Sequence, residues 1–290
     1  MANWKRVNRL TRCPVCGKPD WCMISQDRSA VICPRTEEGA SRYIDGSGYL
    51  HVLKHTTEWM DEGYEPHRPV PLPEHNEVLA IRCRQWISDS TDDHIQGLAE
   101  KLGVTVRALR ALNVGWFAQR ESWVFPMLRA GKRLLGVRVR PQAGSKFAIK
   151  GSKNALFIPN CLGDTGPIFI CEGESDSAAM IDAGLQVIGR PSCNSGSRLI
   201  VELLESFGGT RPVVVCIDSD GPGRSGGYTL ARQVADHSPR TLVMEPPYRY
   251  KDMRDWHIGE GSEEVRVAAE RLLEGQGEEG YLVRPGRHTS

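Results

Sequence analysis

Ile168-Phe169-Ile170-Cys171-Glu172-Gly173-Glu174-Ser175-Asp176 and Val213-Val214-Val215-Cys216-Ile217-Asp218-Ser219-Asp220-Gly221 are the two stretches whose reading decides the fold. Each is a short apolar run that ends in acids. Such runs, rich in β-branched and aromatic residues and bounded by polar turns, read as buried strands. Around them the pattern alternates: strand 168–171, helix 177–183 stopped by Gly184, strand 187–189, helix 198–207, strand 213–217, helix 227–235, strand 242–244. Strands alternating with helices predict an α/β domain whose parallel sheet is covered on both faces. Ligands of such sheets bind beyond the carboxyl ends of the strands. Glu172 and Asp218 fall there. Strand periodicity sets Asp218 and Asp220 on one side, so both can face one ion. Magnesium takes hard oxygen ligands, usually one or two carboxylates with waters and phosphates. Alone, Asp-x-Asp-Gly reads as a solvated turn; following strand-Glu-Gly-x-x-Asp, it is a far rarer combination. A third acidic stretch, Lys251-Asp252-Met253-Arg254-Asp255-Trp256, follows the last strand. Asp252 offers a further metal contact, and Asp255 reads equally well as a helix cap.

Upstream the charge reverses. Residues 101–153 carry twelve Lys/Arg against one Asp/Glu, and residues 154–290 carry thirteen against twenty, so the net charge of +1 conceals two opposite halves. A basic block is the electrostatic footprint of a phosphate-bearing partner, because idle surfaces mix their signs. Strands are predicted over 123–127 and 134–140 around a Gly131-Lys132 turn. Arg138 and Arg140 alternate along one face of the second, and Lys146, Lys150 and Lys153 follow in a Gly/Ser-rich stretch. Arg forks and flexible Lys heads suit phosphate. Before the block, apolar spacing predicts a helix over 78–86. Ser90, Thr91 and Asp92 offer a cap for a second, and 98–112 reads as helix, turn, helix with Gly103 as stop and Thr105 as cap.

Four of the nine cysteines fall between Cys13 and Cys33. Zinc takes four tetrahedral thiolate or imidazole ligands, and Cys13-Pro14-Val15-Cys16, with Gly17 after it, supplies two from one knuckle. Cys22 and Cys33 are read as the other pair, spanning a β-hairpin around residues 26–29, with His51 or His55 as substitutes. Such a zinc is structural, since no coordination position stays open. No apolar run follows Met1-Ala2-Asn3-Trp4-Lys5-Arg6, and the longest apolar stretch, 213–217, is far too short to span a bilayer. A cytoplasmic protein without membrane partners or a disulfide framework is expected. The 290 residues imply two or three domains. We place them as a small β zinc-binding domain (1–58), a Pro-rich linker (59–77), a mixed α+β basic subdomain (78–164), the α/β domain (165–260), and a helix with a tail, frayed from about residue 275 (261–290).

Taken together, Glu172-Gly173-x-x-Asp176 with Asp218-x-Asp220-Gly221 resembles the TOPRIM domain of bacterial and phage primases, topoisomerases and related nucleases. Phe125-Pro126, Gly136-Val137-Arg138-Val139-Arg140, Lys146-Phe147 and Leu156-Phe157 look like the basic subdomain that precedes it in primases, and Cys13, Cys16, Cys22 and Cys33 like the primase zinc-binding domain. The ordered resemblance covers about residues 10–260, closest to a compact phage- or plasmid-type primase. Arg138-Val139-Arg140 and Lys146-Phe147 depart from the usual Gly-Gly-Arg and Lys-Tyr. The resemblance implies a DNA primase, a nucleotidyltransferase that makes short RNA primers on single-stranded DNA from ribonucleoside triphosphates. Glu172 would act near metal and the 3′ end. Asp218 and Asp220 would hold magnesium or manganese, supported by Asp176 and Asp252. Arg140 and Lys146 would line the nucleotide and template groove, with Lys150 and Lys153 behind them. The zinc module would read the template, with Trp21 stacking on a base. A replicative helicase is a candidate partner, although no helicase-binding domain is evident. The competing readings are a TOPRIM nuclease, a non-catalytic zinc/TOPRIM factor that clamps DNA in recombination or replication, and a decoy at the host replication fork.

Overall fold

The computed structural model describes residues 4–44, 47–53, 77–275 and 280–283. The chain divides into two compact units, 1–73 and 74–290.

In the first unit five strands, β1 (Trp4–Arg6), β2 (Met23–Ser25), β3 (Ala30–Cys33), β4 (Arg42–Ile44) and β5 (Gly48–Val52), form an antiparallel sheet in the order β1-β2-β3-β5-β4. The expected hairpin around residues 26–29 joins β2 to β3. Asp27 closes it, accepting from the backbone N–H and hydroxyl of Ser29 at 3.1 and 2.7 Å. β3 is buried on both sides, and its period of two sorts what each side packs against. Val31 and Cys33 join Val7, Cys13, Cys22 and Ile24 in one cluster; Ala30 and Ile32 join Leu50 in another.

The second unit opens with α1 (Glu77–Ser88), α2 (Asp92–Leu102) and α3 (Val106–Ala111). The capping signals act as read: Thr91 caps α2, Gly103 ends it in the left-handed region at φ 68°, and Thr105 caps α3. A four-stranded antiparallel sheet follows in sequential order: β6 (Gly115–Phe117), β7 (Ser122–Arg129), β8 (Arg133–Pro141) and β9 (Phe147–Ala148).

The α/β part contains β10 (Ile168–Glu172), α4 (Gly173–Asp182), β11 (Val187–Arg190), α5 (Ser197–Ser206), β12 (Val213–Cys216), α6 (Gly221–Val234), β13 (Thr241–Met244), α7 (Met253–Glu260), α8 (Ser262–Glu274) and β14 (Gly280–Val283). The sheet order is β11-β10-β12-β13-β14. The first four strands are parallel, flanked by helices, as the alternation predicted. The tail corrects the sequence reading: residues 280–283 are not frayed but pair antiparallel with β13. A four-residue edge strand at the end of a polar segment carries little periodicity, and only its neighbour defines it. Two helices also start earlier than expected, because α4 begins at Gly173 and α6 at Gly221, directly after the acids.

Residues 155–158 stitch the two sheets together. Leu156 exchanges backbone hydrogen bonds with Leu128 of β7 at 2.7 and 2.9 Å, and Phe157 does so with Gly189 of β11 at 2.8 and 2.9 Å. Asp182, at the end of α4, reinforces the join by accepting from the Thr105 N–H at 2.6 Å and from its hydroxyl. Close approach of α6 to β12 requires glycine, since a Cβ at Gly227 would lie 1.9 Å from Cγ2 of Ile217. Overpacking of this kind costs about 1–3 kcal/mol. Gly227→Ala is expected to lower the stability of the second unit by that amount, read as a lower urea midpoint at unchanged slope.

Candidate active site and metal centre

The chain leaves β10 for β11 on one side and returns to β12 on the other, so the strand order reverses between β10 and β12. Open α/β sheets form a crevice at such a switch point, outside the carboxyl ends of the two strands. Glu172 is the last residue of β10, and Asp218 lies two residues beyond β12. β12 stops at Cys216, so strand alternation is not what brings the two aspartates together. Asp220 is instead the N-cap of α6, accepting from Gly223 N–H at 2.7 Å. Asp252 is the N-cap of α7, accepting from Asp255 N–H at 2.8 Å. Asp255 sits in the first turn of α7 and accepts from Lys251 N–H at 3.0 Å. Asp176, one turn into α4, is buried and accepts from Arg254 N–H at 2.9 Å. Ser219 ties the two loops by donating its N–H to the Lys251 carbonyl at 2.8 Å and its hydroxyl to the Tyr250 carbonyl at 2.9 Å.

These links press like charges together. Burial, then Glu172, Asp252 and Asp220, push Asp218 up to about 7. Burial, then Asp252 and Asp218, hold Asp176 well above the carboxylate range. A divalent cation would relieve the repulsion. The donor set fits one: Asp176, Asp220 and Asp252 each spend one oxygen on a backbone N–H, while Glu172 makes no capping bond to α4. The acids remain more widely spread than a tight cage. Among the described residues only the four N-terminal cysteines bring ligand atoms within 4.8 Å of one another. Wider spacing is compatible with magnesium, which keeps much of its water.

The basic residues divide. Arg140 and Lys146 both turn toward Glu174, with Lys146 Nζ at 2.6 Å and Arg140 Nη2 at 3.4 Å from Oε1. Glu174 is 1% exposed. Against the desolvation of this carboxylate, Lys146 and then Arg140 hold it below its usual range. Arg138 lies over the Phe157 ring at 6.0 Å, half-buried on the sheet. Lys150 is exposed, and Lys153 is half-buried with its N–H on the Leu135 carbonyl at 2.9 Å.

Sequence reasoning passed over Glu174 and Arg190. Glu174 occupied an unassigned position of Glu-Gly-x-x-Asp, and the available signal was an additional acid between Glu172 and Asp176, at the start of a helix whose middle is small and apolar. Arg190 ends β11 opposite Glu172 and is 2% exposed. It donates to the carbonyls of Cys193 at 2.7 Å and Gly226 at 3.2 Å, joining the loop after β11 to α6. A cation closing an apolar strand was its trace in the sequence.

In the first unit the four sulfurs form the expected cluster. Cys16 and Cys22 Sγ are 3.6 Å apart, and Cys22 and Cys33 Sγ are 3.7 Å apart. Tetrahedral zinc–sulfur bonds of ~2.3 Å require sulfurs about 3.8 Å apart. The knuckle has its usual polarity, Cys16 N–H pointing at Cys13 Sγ from 3.4 Å, with Gly17 at φ 69°. Arg35 Nη1 sits 3.6 Å from Cys22 Sγ and also donates to the Asp20 carbonyl at 2.7 Å, an outer contact suited to thiolates. His51 is no ligand here, since its Nε2 meets the Thr36 carbonyl at 2.9 Å; His55 lies outside the described residues. By its chemistry and spacing the four-cysteine cluster is consistent with a structural zinc site. Trp21, beside it, is 67% exposed on a left-handed backbone at φ 63°, which large side chains seldom adopt.

Among the described residues no helix is long and apolar enough to cross a membrane. No protein-family model matches the sequence, and comparison with curated proteins gives no match. Solved structures do match. The DnaG primase catalytic domain bound to ssDNA aligns at TM-score 0.50 and 13% identity, covering 69% of this chain and 84% of that one. A DNA primase domain from Pseudomonas aeruginosa aligns at TM-score 0.51 and 13% identity, covering 71% and 79%. The fold is therefore that of a primase-like catalytic core, carried with a four-cysteine cluster that resembles a zinc-binding subdomain.

Two outcomes follow. Purified protein is expected to carry one zinc per chain, lost in Cys22→Ser, as read by metal analysis and chromogenic chelation. Structural zinc contributes about 10–16 kcal/mol to small modules, so chelation should unfold the first unit. The second concerns Asp218. Its folded pKa lies above its unfolded one, so its penalty is absent below about pH 4 and grows as pH rises through about 7. Without divalent cations the melting temperature should therefore fall between pH 5 and 8. Asp218→Asn should flatten that slope, and magnesium should reverse the loss at pH 8.

Proposed function

We propose that this protein is a DNA primase that makes short RNA primers on single-stranded DNA by metal-dependent nucleotidyl transfer. The observation that carries the reading is that Arg140 and Lys146, from the basic sheet and its connection, reach Glu174 in the helix that begins directly after Glu172 at the switch point. In this reading Glu172, Asp176, Asp218, Asp220 and Asp252 serve as the acidic side of the site, and Arg140 and Lys146 as its cations. A nuclease needs the acids, but has less use for a triphosphate-binding pair of cations.

In this reading Arg140 and Lys146 bind the triphosphate of the incoming nucleotide through charge-assisted hydrogen bonds. The 3′-hydroxyl oxygen of the growing strand bonds the α-phosphorus, the bond to the β,γ-phosphates breaks, and pyrophosphate leaves. Glu172 accepts the hydroxyl proton. Magnesium or manganese held by Asp218 and Asp220, with Asp176 and Asp252 in support, would neutralise charge developing on the transferred phosphate. Arg138, Lys150 and Lys153 extend the basic track for the template backbone. The zinc module contributes template recognition, with Trp21 as a stacking surface for an unpaired base. Ribonucleoside triphosphates and single-stranded DNA are the partners, and a replicative helicase is the natural neighbour of such an enzyme.

The test combines purified protein, mixed-sequence single-stranded DNA, labelled ribonucleoside triphosphates and magnesium or manganese. Short labelled oligonucleotides are expected. Asp218→Ala and Glu172→Gln should each reduce them by more than about 100-fold while DNA binding persists. Unchanged synthesis in both variants overturns the site assignment. Cleavage of the template without synthesis identifies a nuclease, and DNA binding with neither activity identifies a clamp.

A further inference from the structure

The third acid of the Glu-Gly-Glu-Ser-Asp stretch is the least expected part of the site. Glu174 stands in the first turn of α4, two residues from Glu172 and two from Asp176. Its carboxylate is buried, yet the helix takes no capping bond from it. One oxygen, Oε1, takes both Lys146 at 2.6 Å and Arg140 at 3.4 Å. The other, Oε2, is buried with no hydrogen-bond partner among the described residues, and the same is true of Arg140 Nε. Buried polar groups nearly always find partners, so Glu174 Oε2 and Arg140 Nε leave this ion-paired group with bonding capacity beyond its three side chains. A carboxylate and two cations together carry one net positive charge. They therefore favour an anion but do not form an open cationic surface that would bind any phosphate indiscriminately.

Geometry points the same way. Arg140 comes from β8 and Lys146 from the connection to β9, both on the antiparallel sheet, whereas Glu174 belongs to the helix that starts at the switch point. Lys146 keeps over a third of its side chain exposed while its head is anchored. Without an anchor, long cationic side chains spread over many rotamers and orient toward solvent, at an entropic cost when a ligand must order them.

We propose that Glu174 is a positioning residue that holds Arg140 and Lys146 beside the Glu172–Asp218 carboxylates, so that a triphosphate meets both cations in one fixed arrangement. The inference rests on the nucleotidyl-transfer reading for its ligand, and it is tested by binding as well as by synthesis. Glu174→Gln keeps the shape of the side chain and removes the charge that orients both cations. In the full chain, ATP affinity, measured by equilibrium titration with magnesium, should fall at least about tenfold, and the loss in synthesis should lie mainly in KM rather than in kcat. Lys146→Ala alone should weaken ATP to a similar extent, and the double variant should be little worse than either, because both substitutions remove one coupled unit. A lower melting temperature with unchanged ATP affinity and unchanged KM would make Glu174 merely structural and overturn the proposal. So would additive losses in the double variant, or a wild-type chain that does not bind ATP. If ATP binding depends on Glu174 as stated but no primer is made, the positioning role stands and the primase reading falls.

Discussion

The stitch formed by residues 155–158 is the constraint from which the rest of the second unit follows. Leu156 bonds to β7 and Phe157 to β11, so one short extended segment belongs to both sheets at once. A basic antiparallel sheet and an acidic parallel one would otherwise be free to rotate about their connection. Held edge to edge, and clipped again by Asp182 on Thr105, they bring the end of β8 against the start of α4. Only in that arrangement can Arg140 and Lys146 reach Glu174.

The acids are organised by a second, local logic. A helix N-terminus favours negative charge and leaves N–H groups without partners. α4, α6 and α7 all begin at the same end of the sheet, and an aspartate or glutamate stands at the start of each. Asp220 and Asp252 serve as caps, each through one oxygen, and the second oxygen of Asp252 lies 4.0 Å from Lys251 Nζ. The arrangement is strained in electrostatic terms, since burial and mutual repulsion raise Asp176 and Asp218 together. A protein keeps such a cluster only where a cation or proton offsets it, and carboxylates poised in that way are common at functional sites.

The first unit solves a different problem. Five short strands bury too little apolar surface to be stable alone. Cys13, Cys22 and Cys33 take core positions beside Val7, Ile24 and Val31, so the candidate metal ligands and the hydrophobic packing occupy the same space.

Much of this was legible along the chain. Apolar runs ending in acids, helices between them, Gly103 and Thr105 at a helix boundary and the spacing of four cysteines are local patterns, set by strand and helix periods, capping chemistry and ligand reach. The primase-like order of the modules was an expectation from the resemblance of these motifs to primase domains, not from the periods themselves. What tertiary structure alone decided depends on pairs distant in sequence. Glu174 meets Arg140 across 34 positions and Asp182 meets Thr105 across 77. Residues 280–283 form a strand because β13 offers a free edge, and Asp220 stands at the carboxyl end of the sheet as the cap of α6 and not because a strand continues. A side chain's partner is fixed by which elements pack together, and packing is a property of the whole fold that no local window of sequence contains.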